Sequence, residues 1–406
     1  MHVLLIHQAF TTLDEAGGTR HYEMASYLVE HHHQMTVITS PVSYLTGKPT
    51  STAGSESAQQ SVEGLTIRRT YTYPALHRSF VHRVFSFISF MVSSFAAGLR
   101  VKGVTLVWGT SPPIFQGLTA WALARLKHVP FVFEVRDLWP AFAVAVGVLR
   151  HPFLIKIAEW IERFLYSHAD LVVVNSPGFI TYVQQRGARR VELLPNGSEP
   201  EMFDPLADGR QFRDEYNLAG KFVVMYAGAH GLSNDLNTVL DAAALLLNQA
   251  EISVVLVGAG KDKPELMARA AGMGLSNVVF TPPISKGQMA HALAAADACI
   301  AILKPIELYK TVYPNKVFDY MAAGRPVILA IDGVIREVVE GAEAGIFVPP
   351  GDATKLAEAI NKLANDRQIA RVMGLAGRRC VESRFNRTHL AGKLANLLSG
   401  VSREAQ

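Results

Sequence analysis

Short runs of β-branched and other apolar residues, many closed by Gly, Pro or Asn and followed by a stretch of helical period, recur along the chain and leave few architectures open. HVLLI, MTVIT, VTLVWG, FVFEV, LVVVN and VELLP occupy the first half, and FVVMYAG, ISVVLVGAG, VVFTPP, ACIAIL, PVILAI and GIFVPP the second. Most are apolar throughout rather than alternating, as expected of strands covered on both faces, so they predict parallel sheets flanked by helices. A chain of 406 residues, 49% of them apolar, has enough material for two such sheets. The alternation breaks at PNGSEPEMFDP. The expected organisation is an α/β domain over residues 1–198, a linker over 199–220, a second α/β domain over 221–383, and a C-terminal segment over 384–406. That last segment holds a helix from His389 to Leu398 that packs back on the first domain.

Charge is distributed unevenly. Residues 1–199 hold 17 Lys and Arg against 13 Asp and Glu, and the remainder holds 22 against 22, so the whole excess of +4 lies in the first half. Eight basic and no acidic residues fall between Gly64 and Phe133, around the uncharged stretch Val84 to Leu99. Sixteen residues of helix reach only about 24 Å, short of a bilayer core of roughly 30 Å, which argues against a spanning helix. With Arg78, Arg83, Arg100 and Lys102 as flanks, the stretch fits either a helix at an anionic membrane surface or a buried core helix. Residues 48–62, small and polar, read as a loop. The opening MHVLLIHQAF reads as a first strand rather than a signal peptide. The two cysteines, Cys299 and Cys380, have no metal-like spacing, and a reducing compartment follows. The expectation is a cytoplasmic protein, peripheral at the inner membrane face, with no nucleic-acid partner and no tightly bound metal or other cofactor.

Ligands of open α/β sheets bind beyond the carboxyl ends of the strands, which directs attention to the residues closing each run. After the first strand come Gly17 and Gly18, a corner without the GxGxxG spacing, and then Arg20. FVFEV is closed by Arg136 and Asp137, FVVMYAG by Gly228 and His230, and the run ending in GAGKDK by Gly258, Gly260, Lys261 and Lys263. GAGKDK lacks the P-loop spacing, but its backbone amides and lysines suit a phosphate. The segment VYPNKVFDYMAAGRP predicts a loop opening into a short helix that stops at Gly324. Its first turns carry Asn315, Lys316 and Asp319. A helix start with a lysine beside it suits a diphosphate, and a carboxylate one turn inward suits a ribose diol. The same two charges also fit an ordinary i, i+3 ion pair on a surface helix.

In their order along the chain, the GG corner, TSPP, RDLWP, NSPGF, LPNGSEPEMF, YAG, LVGAGKDK, PNKVFDYMAAGRPV and GIFVPPGD resemble glycosyltransferase family 4, with the GT-B fold. DLWP resembles the bacterial branch that moves N-acetylated amino sugars in O-antigen, capsule or exopolysaccharide assembly. The resemblance implies two Rossmann-like domains facing across a cleft, with donor nucleotide in the second and acceptor against the first. It also implies retaining transfer from a nucleotide-sugar, with UDP the expected nucleotide, to a lipid-linked or saccharide acceptor. Asp319 falls where the second carboxylate of the family's E-x7-E motif holds the ribose, and Thr311 falls where the first would be, Glu307 lying a turn too early. The usual Arg and Lys of the diphosphate clamp are replaced by Ala229 and Asn234, leaving Lys316, Lys263 and Arg20 as substitutes. Asp137 is the acceptor-side catalytic candidate, and Lys316 the catalytic cation. The alternatives are a UDP-sugar epimerase of the same fold and a non-catalytic sugar-nucleotide-binding protein.

Overall fold

The computed structural model describes residues 1–43, 47, 59–62, 64–74 and 80–404. It forms two compact units, one of Met1–Thr12, Gly18–Pro195 and Thr388–Gln406, the other of Leu13–Gly17 and Asn196–Arg387.

The first unit is built on β1 (His2–Ile6), β2 (Gln34–Thr39), β3 (Gln59–Val62), β4 (Leu65–Arg69), β5 (Leu106–Ser111), β6 (Phe131–Val135), β7 (Leu171–Val174) and β8 (Val191–Leu193). They lie in the order β3-β4-β2-β1-β5-β6-β7-β8. All neighbours are parallel except β3, which runs antiparallel to β4. The central strands are predominantly apolar because helices cover both faces, and β1, β5, β6 and β7 are buried almost throughout. The edge pair β3 and β4 was not foreseen. LTIRR carries only two apolar residues at alternate positions, a weak pattern against the long runs around it. Of residues 48–62, read above as a loop, 48–58 lie outside the described residues and 59–62 are β3.

The uncharged stretch belongs to a longer helix, Phe80–Leu99, of 20 residues. Its reach is about 30 Å, so the length argument against a membrane span does not hold. It is the one helix among the described residues long and apolar enough to cross a membrane, judged by length and composition. What fixes its place is packing: Ser86, Phe90 and Ser94 are buried, and Thr119 of helix Phe115–Lys127 donates to the Met91 carbonyl at 3.2 Å. Nor is the acid-free span a single solvated face. Arg69 is 4% exposed, and Lys127 donates to the carbonyls of Leu99 and Val101. The last helix, Arg387–Glu404, sends Leu390, Leu394, Leu398 and Val401 into the core that holds Val3, Leu5, Met24 and Val37.

The second unit carries β9 (Phe222–Ala227), β10 (Ile252–Val257), β11 (Val278–Thr281), β12 (Ala298–Ile302), β13 (Val327–Ala330) and β14 (Gly345–Phe347). Their order is β11-β10-β9-β12-β13-β14, all parallel. A hydrophobic cluster lies on each face of this sheet. Residues 199–220, expected as a linker, are instead part of this unit: they form helix Arg210–Glu215 and bury Phe203, Phe212 and Leu218 in its core. Three apolar anchors spaced through a polar stretch were enough to dock it.

Candidate functional site

In the second unit the strand order reverses between β9 and β12, and this switch point is where the carboxyl edge of a doubly wound sheet opens a crevice. The chain beyond β12 returns as helix Asn315–Ala322. It is closed by Gly324 at φ +65°, as its sequence predicts. From its first turn Lys316 reaches back to β9. Its Nζ donates to the Tyr226 hydroxyl at 2.7 Å and to Asn234 Oδ1 at 3.1 Å, and lies 4.0 Å above the Tyr226 ring. A Cβ added at Gly228 would come within 2.9 Å of that nitrogen, so the amine sits directly against the strand-end glycine. Both hydrogen-bond partners are neutral oxygens, and burial lowers the Lys316 pKa to about 7. A cation held this way gains a strong partner when an anion arrives.

Around it the backbone is packed too closely for side chains. A Cβ at Gly258 would lie 2.0 Å from the Gly228 carbonyl oxygen, and one at Gly260 would lie 2.2 Å from that of His230. His230 is fully buried with neither ring nitrogen hydrogen-bonded, and burial, followed by Lys263 and Lys316, lowers its pKa to about 4. It is a neutral imidazole against the glycine turns. Lys263 donates to the carbonyls of Gly258 and Thr281 at 2.7 and 2.6 Å, tying the GAGKDK turn to β11, while Lys261 is exposed at the tip.

Asp319 and Lys316 do not pair. The Asp319 carboxylate turns away to Lys286 Nζ at 2.6 Å, the Ser198 hydroxyl at 2.7 Å and Asn315 Nδ2 at 3.2 Å. Asn315 Oδ1 in turn accepts from Arg387 at 2.8 Å. The surface ion-pair reading of the two charges is therefore corrected: each has its own polar environment on either side of the helix. Lys286, Ser198 and Arg387 were missed by sequence reasoning, since they lie 33, 121 and 68 positions from Asp319. Thr311 bonds within its own turn to the Leu308 carbonyl, and Glu307 is exposed beside Lys310. If Asp319 also holds a ribose, Asp319→Ala should weaken UDP binding by about 1.5 to 3 kcal/mol, the range for a hydrogen bond to a charged group. Calorimetry tests this. Unchanged affinity with a lowered melting temperature would reduce Asp319 to a packing hub.

In the first unit Arg20 is not free for phosphate. It is 6% exposed, pairs with Glu134 at 3.0 Å and donates to the carbonyls of Leu194 and Pro195, each at 2.8 Å. His21 reaches the other Glu134 oxygen at 2.6 Å, and His7 lies 3.2 Å from His21. The Ala9 amide donates to His7 Nδ1, so neutral His7 carries its proton on Nε2 and donates to His21 Nδ1. His21 then donates from Nε2 to Glu134. Burial opposes the Glu134 charge, but His21 and Arg20 hold its carboxyl well below the usual range, while burial lowers the His21 pKa to about 4. Gly18 precedes this helix, Arg20–Glu30, with open space above its Cα, and its carbonyl accepts from Thr11 at 2.8 Å. Gly17 has φ +152°. Beyond β6, Arg136 turns to the TSPP loop, donating to Thr110 Oγ1 and the Ser111 carbonyl, both at 2.9 Å. Asp137 keeps Oδ1 buried without a partner, and burial, against Arg136 and the Leu138 amide, raises its pKa to about 7. Among the described residues no group of three or more His, Cys, Asp and Glu side chains is placed to hold a metal ion.

Both sheets of the chain have counterparts among known proteins. Residues 16–197 match the family described as glycosyl transferase 4-like domain, and residues 221–366 the family described as glycosyl transferases group 1. O-antigen chain mannosyltransferase C of Escherichia coli is 26% identical over 58% of this chain and 62% of its own length. A D-inositol 3-phosphate glycosyltransferase of Corynebacterium jeikeium is 25% identical over 69% of each. In structure, the sucrose-phosphate synthase of Thermosynechococcus elongatus superposes with a TM-score of 0.80 at 20% identity, covering 99% of both chains. Anabaena HepE, solved with UDP-glucose, superposes at 0.72 with 16% identity, covering 98% of this chain and all of its own. With one matched domain on each sheet and the GT-B architecture throughout, the chain belongs to the glycosyltransferases of family 4.

Proposed function

We propose that the protein transfers a sugar, of the N-acetylated amino-sugar class, from a UDP-sugar to a lipid-linked or saccharide acceptor in cell-surface polysaccharide assembly, with retention at the anomeric carbon. The observation carrying this reading is Lys316: a partly buried amine with two neutral oxygen partners, set against Gly228 at the switch point of the second sheet. As the bond from C1 to the diphosphate oxygen breaks, C1 gains positive charge and the departing nucleoside diphosphate gains negative charge. Lys316 and the amides of the glycine turns stabilise that leaving group, and in this reading no resident metal is required. Asn234 stands where the family's clamp lysine would be and orients Lys316 instead, which supports a relocated clamp. UDP in the HepE structures and the O-antigen and teichuronic-acid enzymes among the relatives support the donor and the pathway class.

The acceptor hydroxyl loses its proton to a base, for which Asp137 is suited, since a carboxyl with a pKa near 7 is part-ionised at neutral pH. The site is proposed to work at the anionic inner face of the membrane, where lipid-linked acceptors are presented. The test is incubation with UDP-N-acetylhexosamines and a polyprenyl-diphosphate sugar. Transfer is expected, with kcat/KM rising through about pH 7 and that limb lost in Asp137→Asn. Isomerisation of the UDP-sugar without acceptor, or binding without turnover, would overturn the transferase reading.

A further inference from the structure

The first unit exposes large apolar side chains that its own fold does not use. The connections from β4 to β5, β5 to β6 and β6 to β7 all advance in the same direction across the sheet. Right-handed crossovers therefore put helices Phe80–Leu99, Phe115–Lys127 and Pro152–His168 on one face. They form one tight layer. A Cβ at Gly98 would lie 2.4 Å from Leu123 Cδ1, and one at Gly117 would lie 2.7 Å from Leu165 Cδ1. Trp121 meets Phe164 edge-on at 4.8 Å, and Phe164 stacks on Trp160 at 5.6 Å.

The outer surface of this layer is apolar. On the first helix Val81, Phe85, Ile88 and Val92 follow one another at spacings of four, three and four, with Phe85 59% and Val92 62% exposed. On the third, Phe153 is 64% and Trp160 62% exposed, with Ile157 between them. All four aromatic residues among the large hydrophobics that the described structure exposes, Tyr71, Phe85, Phe153 and Trp160, belong to this unit and none to the second. Apolar residues scattered singly need no explanation, but this concentration on two helices of one layer does. Basic residues are exposed alongside: Arg100 and Lys102 after the first helix, Arg125 on the second, Lys156 and Arg163 on the third, with Glu159 and Asp170 as the acidic exceptions nearby. Apolar and aromatic tips beside lysine and arginine match the interface of an anionic bilayer.

We infer that helix Pro152–His168 inserts Phe153, Ile157 and Trp160 into the acyl boundary of an anionic membrane, beside the outer stripe of helix Phe80–Leu99, which lies along the surface with its inner face packed on the sheet layer. This rests on the membrane reading above and assigns its contact to a surface that includes a helix outside the acid-free span. Attachment is then part electrostatic and part hydrophobic, so salt weakens but does not abolish it.

The full chain is sedimented with vesicles of phosphatidylcholine alone or with phosphatidylglycerol, and Trp fluorescence is read with bromine-labelled acyl chains. Binding to anionic vesicles is expected, with bromine quenching that Trp160→Phe removes while binding persists. The triple variant F153S/I157S/W160S should bind about tenfold more weakly with an unchanged melting temperature. Quenching that survives Trp160→Phe, or a triple variant that binds as the wild type does, overturns the inference and leaves the electrostatic reading standing. Absence of wild-type binding to any vesicle overturns both. A wild-type dimer that the triple variant converts to monomer, with no vesicle binding by either, would make the surface an interface between copies and overturn the lipid assignment.

Discussion

Lys316→Ala should lower kcat/KM by about 10²- to 10³-fold, the usual loss when one preorganised group facing developing negative charge is removed. The loss should appear in kcat as well as KM. In the proposed reading the lysine contacts ground-state diphosphate, and its charge is worth more as the leaving group becomes more anionic. Stability should change little or rise, because the folded protein holds this amine with only Tyr226 and Asn234 as partners. The sign follows from its pKa of about 7 against about 10.5 for an ordinary lysine. Between those values the unfolded chain binds the extra proton, so the Lys316 contribution to stability improves as pH rises through the window and is least favourable below pH 7. A variant with normal turnover and altered melting would make Lys316 a packing residue.

Glu134→Ala should destabilise the first unit by about 3 to 5 kcal/mol, the range for removing one member of a buried ion pair. Arg20 would keep its carbonyl partners but lose its counter-charge, and His21 would lose the acceptor that fixes its tautomer and that of His7. Differential scanning calorimetry or urea unfolding reads this directly. Acid lability follows from the same groups. His21, with its folded pKa lowered to about 4, favours the neutral form, so stability falls as pH drops from about 6.5 towards 4 and the unfolded chain takes the proton. The lowered Glu134 pKa withdraws further stability as pH falls below the ordinary carboxylate range. A Glu134→Ala protein as stable as the wild type would show that burial and the Leu194 and Pro195 carbonyls suffice to hold Arg20.

Twelve strands were legible because each is a short, mainly apolar run between helical or turn segments, and such runs have few other uses in a chain of this length. β4 was hidden because a short strand next to the sheet edge, with Arg68 and Arg69 in it, lacks that pattern. The segment 199–220 was misread because docking by Phe203, Phe212 and Leu218 depends on a groove that only the folded unit supplies. At the site, Lys316, Asn315 and Asp319 could be grouped because they share one helix. Their partners Tyr226, Lys286 and Ser198 could not, because residues brought together by a parallel sheet are far apart in sequence, and Asn234 was tied to the site only by the family's clamp position. The buried relay of His7, His21, Glu134 and Arg20 was half visible in the GG corner. Nothing in FVFEV shows that its glutamate faces an arginine and a histidine more than 110 positions away.

The claim that Lys316 receives the nucleotide diphosphate is tested most directly by titrating UDP into the protein at pH 8 in two buffers of different ionisation enthalpy. Free Lys316 is mostly neutral at that pH and should be charged beside a diphosphate, so binding should take up most of one proton, seen as a buffer-dependent heat. Lys316→Met should bind UDP more weakly with no proton uptake. Equal affinity and equal uptake in wild type and variant would place the nucleotide elsewhere and contradict the account.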